Sequence, residues 1–260
     1  MLDVDLIASS DVDRAVTTFH REGFVAVSGA LSKEQLTLAQ AGARRVIEEQ
    51  TAAIPLVEAN RGFARYSFGQ QIHHPEWQQL IDLPAVLPIL ERIWGSADFN
   101  CTGAGGDYSL PGAKIQHLHA DIGDFFNDPL GQVTSFDVPA PHIVINYLMV
   151  DFHEKNGAIR FIPCTQRNRQ APPALDEEPD WMKKSFVCAP AGTALIRDVR
   201  CWHGGTANRS DEVRPMTSAG YFAPWYYRRI QEPRMSRSVY ENLSKNAKDL
   251  CRLMVDPQLG

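Results

Sequence analysis

The chain has 260 residues, 44% of them hydrophobic, enough for one large core and so for a single domain. Its formal net charge of −5 and sequence pI near 5.9 leave no basic field to neutralise a run of phosphates, which argues against a nucleic-acid partner. No apolar run approaches the roughly 20 residues that cross a bilayer, and the start MLDVDLIASS lacks the basic and apolar stretches of a secretory signal. A cytoplasmic protein with no membrane partner is expected.

Five cysteines, at 101, 164, 188, 201 and 251, are odd in number and never form a C-x-x-C pair. That pattern speaks against both a disulfide framework and a thiolate zinc site, and for reduced thiols.

Along the chain, Ser10 is placed to cap a helix with Val12, Ala15, Val16 and Phe19 on one face, and Gly23 to end it. A strand over Phe24 to Val27 follows. Ser32 and Gln35 form a capping box, Leu31 and Leu36 a staple across it, and the apolar set from Leu36 to Ile47 predicts a helix over about 33–50. Residues 77–95 carry a third helical pattern, with Pro84 near its start. From about residue 98 short apolar runs alternate with Gly, Pro, Asp and Asn: Lys114–His119, Ile143–Val150, Ala158–Ile162, Thr193–Ile196 and Met216–Phe222. This is the texture of an antiparallel barrel or sandwich. The long polar segment at 165–185 reads as an irregular loop, of the kind that often walls or covers an active site. Val239, Leu243, Ala247, Leu250 and Met254 then predict a closing helix. The expected architecture is α+β: a mainly helical part over 1–97, a barrel over 98–228 and a helical tail over 229–260.

In a strand, side chains two apart share a face, so His119 and Asp121 of Gln116-His-Leu-His-Ala-Asp-Ile project together. A third donor, His203, follows the run Thr193–Ile196 where a barrel strand would end. Two imidazoles and one carboxylate leave three coordination positions open, which suits a non-haem iron(II) binding a cosubstrate and O2 together; a structural zinc site is closed. An isolated H-x-D is a weak signal, and a three-histidine cupin site that includes His117 competes with it. His20, His73, His74, His142 and His153 read as ordinary histidines.

Arg214 lies eleven positions beyond His203 and opens a strand pattern. A guanidinium facing a barrel interior needs an anion, and its fork fits a carboxylate such as the distal one of 2-oxoglutarate. Ser218 would share that strand face. The alternative is that Arg214 ends the polar loop before it and points into water.

Taken together, His119-Ala-Asp121, Asn156-Gly-Ala-Ile-Arg-Phe-Ile-Pro163, Trp202-His203-Gly-Gly and Arg214 resemble the phytanoyl-CoA dioxygenase family. The resemblance implies a double-stranded β-helix, or cupin-type jelly roll, flanked by helices, with iron(II) on His119, Asp121 and His203 and 2-oxoglutarate on Arg214. It also implies cosubstrate contacts from Gln116 and Asn146. Where the family commonly reads Pro-Gly-Ser-His-Arg, this chain has Pro163-Cys-Thr-Gln-Arg167, a departure that touches no metal ligand. Asp121 is retained where related halogenases carry a small residue, so hydroxylation or desaturation of a small molecule is expected, a natural-product intermediate or an amino-acid-like compound. The competing classes are a metal-dependent isomerase or hydrolase on a cupin barrel, and a silent binding protein on the same fold.

Overall fold

The computed structural model describes residues 1–227, 235–256 and 258–259; the expected boundary between barrel and tail at 228–229 lies outside them. The chain opens with β1 (Leu6–Ala8), α1 (Val12–Glu22), β2 (Phe24–Ser28) and α2 (Lys33–Ala53). The α1 cap is Asp11, which accepts from the Arg14 amide, rather than Ser10, while Gly23 closes the helix at φ 84° as expected. The Ser32–Gln35 capping box of α2 is present in both directions.

Next come β3 (Arg65–Ser67), α3 (Pro75–Gln78) and α4 (Leu87–Trp94). The single helix expected over 77–95 is therefore two. Proline disfavours helical backbone in the residue before it, so Pro84 breaks the helix, which resumes with Pro88 in its first turn. The apolar residues of the break, Leu80, Ile81, Leu83 and Val86, remain buried. The rest is β4 (Asn100–Ser109), β5 (His142–Leu148), β6 (Ile159–Phe161), α5 (Asp180–Lys183), β7 (Ala194–Asp198), β8 (His203–Gly205), β9 (Arg214–Phe222), α6 (Arg237–Glu241) and α7 (Lys245–Leu250). The closing helix is likewise split, because Ser244 caps a new one at α7.

Seven strands form one sheet in the order β1-β2-β7-β5-β9-β4-β3, and β6 and β8 pair in a second, smaller sheet. Strand alternation sorts the large sheet into two faces. Ile143, Ile145, Tyr147, Ile196, Ala219 and Tyr221 pack outward with Phe19, Val46, Trp77 and Leu90 of the helices. Leu148, Leu195 and Met216 point inward and pack with Ile159 and Phe161 of the small sheet. Two facing sheets with helices on one side make the jelly roll that the motifs implied. The first hundred residues contribute three strands to it, so they are part of the barrel wall as well as its helical cover.

Strand β4 has no counterpart in the sequence pattern because glycines occupy its interior. A Cβ on Gly106 would lie 2.1 Å from the Met216 carbonyl oxygen, and one on Gly105 2.2 Å from that of Gly69. Backbone approach, not β propensity, decides those positions. Among the described residues no helix is long and apolar enough to cross a membrane.

Gly42 tests the packing of α2. In an exposed helix Gly→Ala gains about 1 kcal/mol, but here a Cβ would meet Glu76 Cβ at 2.6 Å and Trp77 Cζ3 at 2.8 Å. The expected outcome for Gly42→Ala is a lower melting temperature, with overpacking costing about 1–3 kcal/mol; a rise would show that α2 and α3 separate freely.

Candidate metal centre and anion cavity

The segment expected as a strand over Lys114–His119 pairs with β8 at only two points. Gln116 N–H donates to the Gly205 carbonyl at 2.9 Å, and His119 and His203 exchange both backbone bonds at 3.0 Å. Three residue steps on one side thus face two on the other, which places a bulge at His117–Leu118. The freed Leu118 N–H donates to Glu178 Oε1 at 3.2 Å. Glu178 in turn pairs with Arg160, both side chains fully buried, and Arg160 Nη2 also donates to the Gln116 carbonyl at 2.6 Å. The 165–185 loop is therefore tied behind the ligand segment through Glu178.

The bulge decides the histidines. His117 is exposed and is absent from the cavity lining, so the three-histidine alternative loses its third member. His119 and His203 face each other with ring centroids 4.4 Å apart. His119 Nδ1 lies 3.2 Å from the His117 carbonyl and His203 Nδ1 2.9 Å from that of Cys201. A carbonyl only accepts, so both Nδ1 atoms carry the proton and both Nε2 lone pairs are free. Asp121 Oδ1 lies 4.0 Å from His119 Nε2 and 3.5 Å from His203 Nε2, and the three residues' donor atoms fall within 4.8 Å of one another. Burial, reinforced by neighbouring His203, brings His119 down to about 4, against the opposing pull of the His117 carbonyl and Asp121. Burial works against the Asp121 charge, but Arg197 and His203 together hold its carboxyl well below the usual range. A neutral imidazole at His119 and an ionised carboxylate at Asp121 are forms that can ligate a metal.

Beside these donors lies a cavity of about 90 Å³ whose lining includes Arg61, Arg65, Arg197 and Arg214 against only two carboxylates, Asp107 and Asp121. Arg214 is 1% exposed and donates to Asp107 Oδ1 at 3.0 Å, with Phe152 under its guanidinium at 5.2 Å. It faces the interior, not water. Arg65 donates from Nη2 to the Thr206 carbonyl at 2.8 Å. Burial, then the charge of Arg214, lowers Arg65 to about 10, with Asp107 opposing. Arg65 Nη1 and Arg214 Nε are buried without a hydrogen-bond partner. Gly205 makes room: a Cβ there would lie 2.4 Å from Arg65 Nη1.

Gln116 and Asn146 also line this cavity. Gln116 Oε1 accepts from Gly205 N–H at 2.9 Å and its Nε2 donates to the Arg61 carbonyl; Asn146 Oδ1 accepts from Arg197 Nε at 3.1 Å. Ser218 shares the β9 face of Arg214 but lines a neighbouring groove with Gln70, Thr102 and His142, since four strand residues span about 13 Å. Arg65, Arg197 and Asp107 were missed in the sequence. The signal was available for Arg197, a cation inside the apolar run Ala194–Asp198.

A jelly roll with two imidazoles and a carboxylate beside a guanidinium-lined cavity defines the class of non-haem iron, 2-oxoglutarate-dependent oxygenases. The chain belongs to the phytanoyl-CoA dioxygenase (PhyH) family, whose model matches residues 19–216. It is similar to the iron/alpha-ketoglutarate-dependent dioxygenase okaE of Penicillium ochrochloron, 31% identical over 102 residues. That match spans 39% of this chain and 31% of the relative's length. Among solved structures it is similar to the alpha-ketoglutarate-dependent carbocyclase SnoK from nogalamycin biosynthesis, with a TM-score of 0.63, 18% identity and coverage of 84% and 87% of the two chains. The epimerase SnoN, in complex with Fe3+, alpha-ketoglutarate and nogalamycin RO, gives a TM-score of 0.61 at 19% identity, covering 82% and 84%. At these identities the likeness is one of fold.

The ion pair behind the bulge gives a stability prediction. Glu178→Ala leaves Arg160 charged in a fully buried position and the Leu118 N–H unpaired, so a loss of about 3–5 kcal/mol is expected in denaturant unfolding. A change below 1 kcal/mol would mean that the loop does not hold the ligand segment.

Proposed function

We propose that His119, Asp121 and His203 hold iron(II), that Arg214 takes the distal carboxylate of 2-oxoglutarate, and that the enzyme hydroxylates or desaturates an unactivated C–H bond of a small molecule. One observation carries this reading: two buried guanidinium nitrogens, Arg65 Nη1 and Arg214 Nε, have no partner in the cavity that the three metal donors also line. A buried guanidinium N–H without an acceptor is costly even where the rest of the group is paired, and a carboxylate-bearing ligand offsets that cost.

When bound, iron and the ketoacid supply dioxygen activation, with O2 consumed and succinate and CO2 released; the protein supplies orientation and water exclusion. Both His Nε2 atoms offer lone pairs because their Nδ1 protons are engaged. Arg214 fixes the far end of the ketoacid from a rigid strand. Asn146 acts through Arg197, and Gln116 by holding the backbone of Gly205 and Arg61. Five free cysteines accord with a reducing, cytoplasmic setting.

Ser218 belongs to the substrate side. Its groove is lined by Gln70, Thr102, His142, Val144 and four glycines, with no Asp, Glu, Lys or Arg in the lining. It continues from the metal cavity along one sheet face, since Ser218 is the cross-strand partner of Asn146. A ladder of rings leads away from it, from His142 to Phe222 at 4.8 Å, on to Tyr226 at 5.1 Å and then to Phe125 at 5.1 Å. Neutral polar groups and an aromatic wall suit an uncharged, ring-bearing natural product better than an amino-acid-like substrate.

Anaerobic iron(II) with 2-oxoglutarate should give a weak visible charge-transfer band; a colourless protein with no ketoacid affinity would return the barrel to another function. Arg214→Ala should raise the Michaelis constant for 2-oxoglutarate on the order of 30-fold or more while sparing iron affinity. Unchanged cosubstrate kinetics would remove Arg214 from the role. Ser218→Phe fills the groove, and loss of substrate-stimulated succinate release with unaltered 2-oxoglutarate affinity is expected. A weakened ketoacid affinity instead would place Ser218 at the cosubstrate.

A further inference from the structure

Arg197 is the penultimate residue of β7, in register with Phe24 on one side and Val144 on the other. It is buried, 7% exposed, so the strand fixes its backbone and packing fixes its stem. Its Nη1 donates to Asp121 Oδ2 at 2.6 Å and its Nε to Asn146 Oδ1 at 3.1 Å. Asp121, by contrast, follows the isolated bridge at His119 in irregular backbone, with its side chain 34% exposed. A rigid cation therefore holds a less rigid carboxylate.

The two oxygens of Asp121 are not equivalent. Oδ1 is the one 3.5 and 4.0 Å from the imidazole Nε2 atoms, whereas Oδ2 is occupied by the guanidinium. We propose that Arg197 is a positioning residue that enforces one-oxygen ligation by Asp121 and so keeps open the coordination position a second oxygen would close. The proposal rests on the iron and 2-oxoglutarate reading above. It follows from a competition: a free carboxylate beside a divalent cation can chelate through both oxygens, and a charge-assisted bond to one of them prevents it. Partners of this kind commonly shift metal or ligand affinity 10–100-fold when removed.

The sign separates this role from a structural one. Removing Arg197 takes a positive charge away from the site and frees a second oxygen, so metal affinity should hold or rise while ketoacid affinity falls. Arg197→Gln and Arg197→Lys are loaded anaerobically with iron(II), and iron(II) and 2-oxoglutarate affinities are read by calorimetry and the visible band. The expected result for Arg197→Gln is iron(II) affinity within about threefold of wild type or tighter, and 2-oxoglutarate binding weakened about 10–100-fold. Arg197→Lys should fall between. With Mn(II) alone, water-proton relaxivity should drop by about a third, as one of three open positions closes. Asn146→Ala, which loosens the guanidinium but keeps its charge, should move ketoacid affinity the same way by a smaller factor if Arg197→Gln does not fold. Equal losses of metal and ketoacid affinity, or unchanged relaxivity, would overturn the clamp. A wild-type protein that binds Mn(II) but shows no ketoacid band would instead refute the functional reading, and the relaxivity comparison would still decide the role of Arg197.

Discussion

The pairing of residues 116–119 with β8 is the constraint on which the site depends. It brings His119 and His203 across from one another through two mutual backbone bonds, and the bulge before it rotates His117 out of contention. A bulge leaves an amide unpaired, and a buried unpaired amide is unstable. Glu178 satisfies that amide, Arg160 satisfies Glu178, and the spare Arg160 nitrogen returns to the Gln116 carbonyl. The ionic network is closed except for Arg160 Nε, which has no partner. Apolar residues of similar volume can replace a buried ion pair without loss of packing, but they cannot supply the acceptor that the bulged amide requires.

A second constraint is electrostatic. Four guanidiniums around one small cavity repel each other, and two carboxylates compensate only half of that charge. Arg65 is lowered to about 10 by burial first and by the neighbouring charge of Arg214 second, with Asp107 opposing. Arginine rather than lysine suits such a place, because its charge survives burial and its fork retains directed donors when neighbours are cationic. The unliganded protein thus carries uncompensated positive charge at the position where an anion would bind, and anion affinity is the other side of that destabilisation.

Much of the site was legible because its chemistry is spelled in short spacings. His119 and Asp121 stand two positions apart and converge although Asp121 lies in irregular backbone, and Arg214 opens an apolar strand eleven positions beyond His203. What escaped is long-range. Glu178 lies in a loop whose polarity suggests solvent, and only the fold shows that it is wholly buried behind a strand 60 residues earlier. Arg65 precedes the barrel in a stretch read as helical, so nothing local linked it to Arg214. Strand β4 was hidden because its glycines answer to cross-strand backbone approach, which has no periodicity. Ser218 shares the strand face of Arg214 yet lines a neighbouring groove, since a shared face says nothing about distance along the strand.

These observations bear on how one residue serves two masters. A metal ligand on irregular backbone has freedom to rotate, and a carboxylate has two equal donors, so geometry at the metal is undetermined by Asp121 itself. The histidines are fixed by the carbonyls two residues before them, those of His117 and Cys201; the Asp121 side chain takes its orientation from Arg197 of β7. The sheet face that carries Arg197 also carries Asn146 and, one cross-strand step further, Ser218. The proposed metal geometry, ketoacid seat and substrate groove are therefore referred to the same sheet surface, and a displacement of β7 against β5 would be felt at all three together.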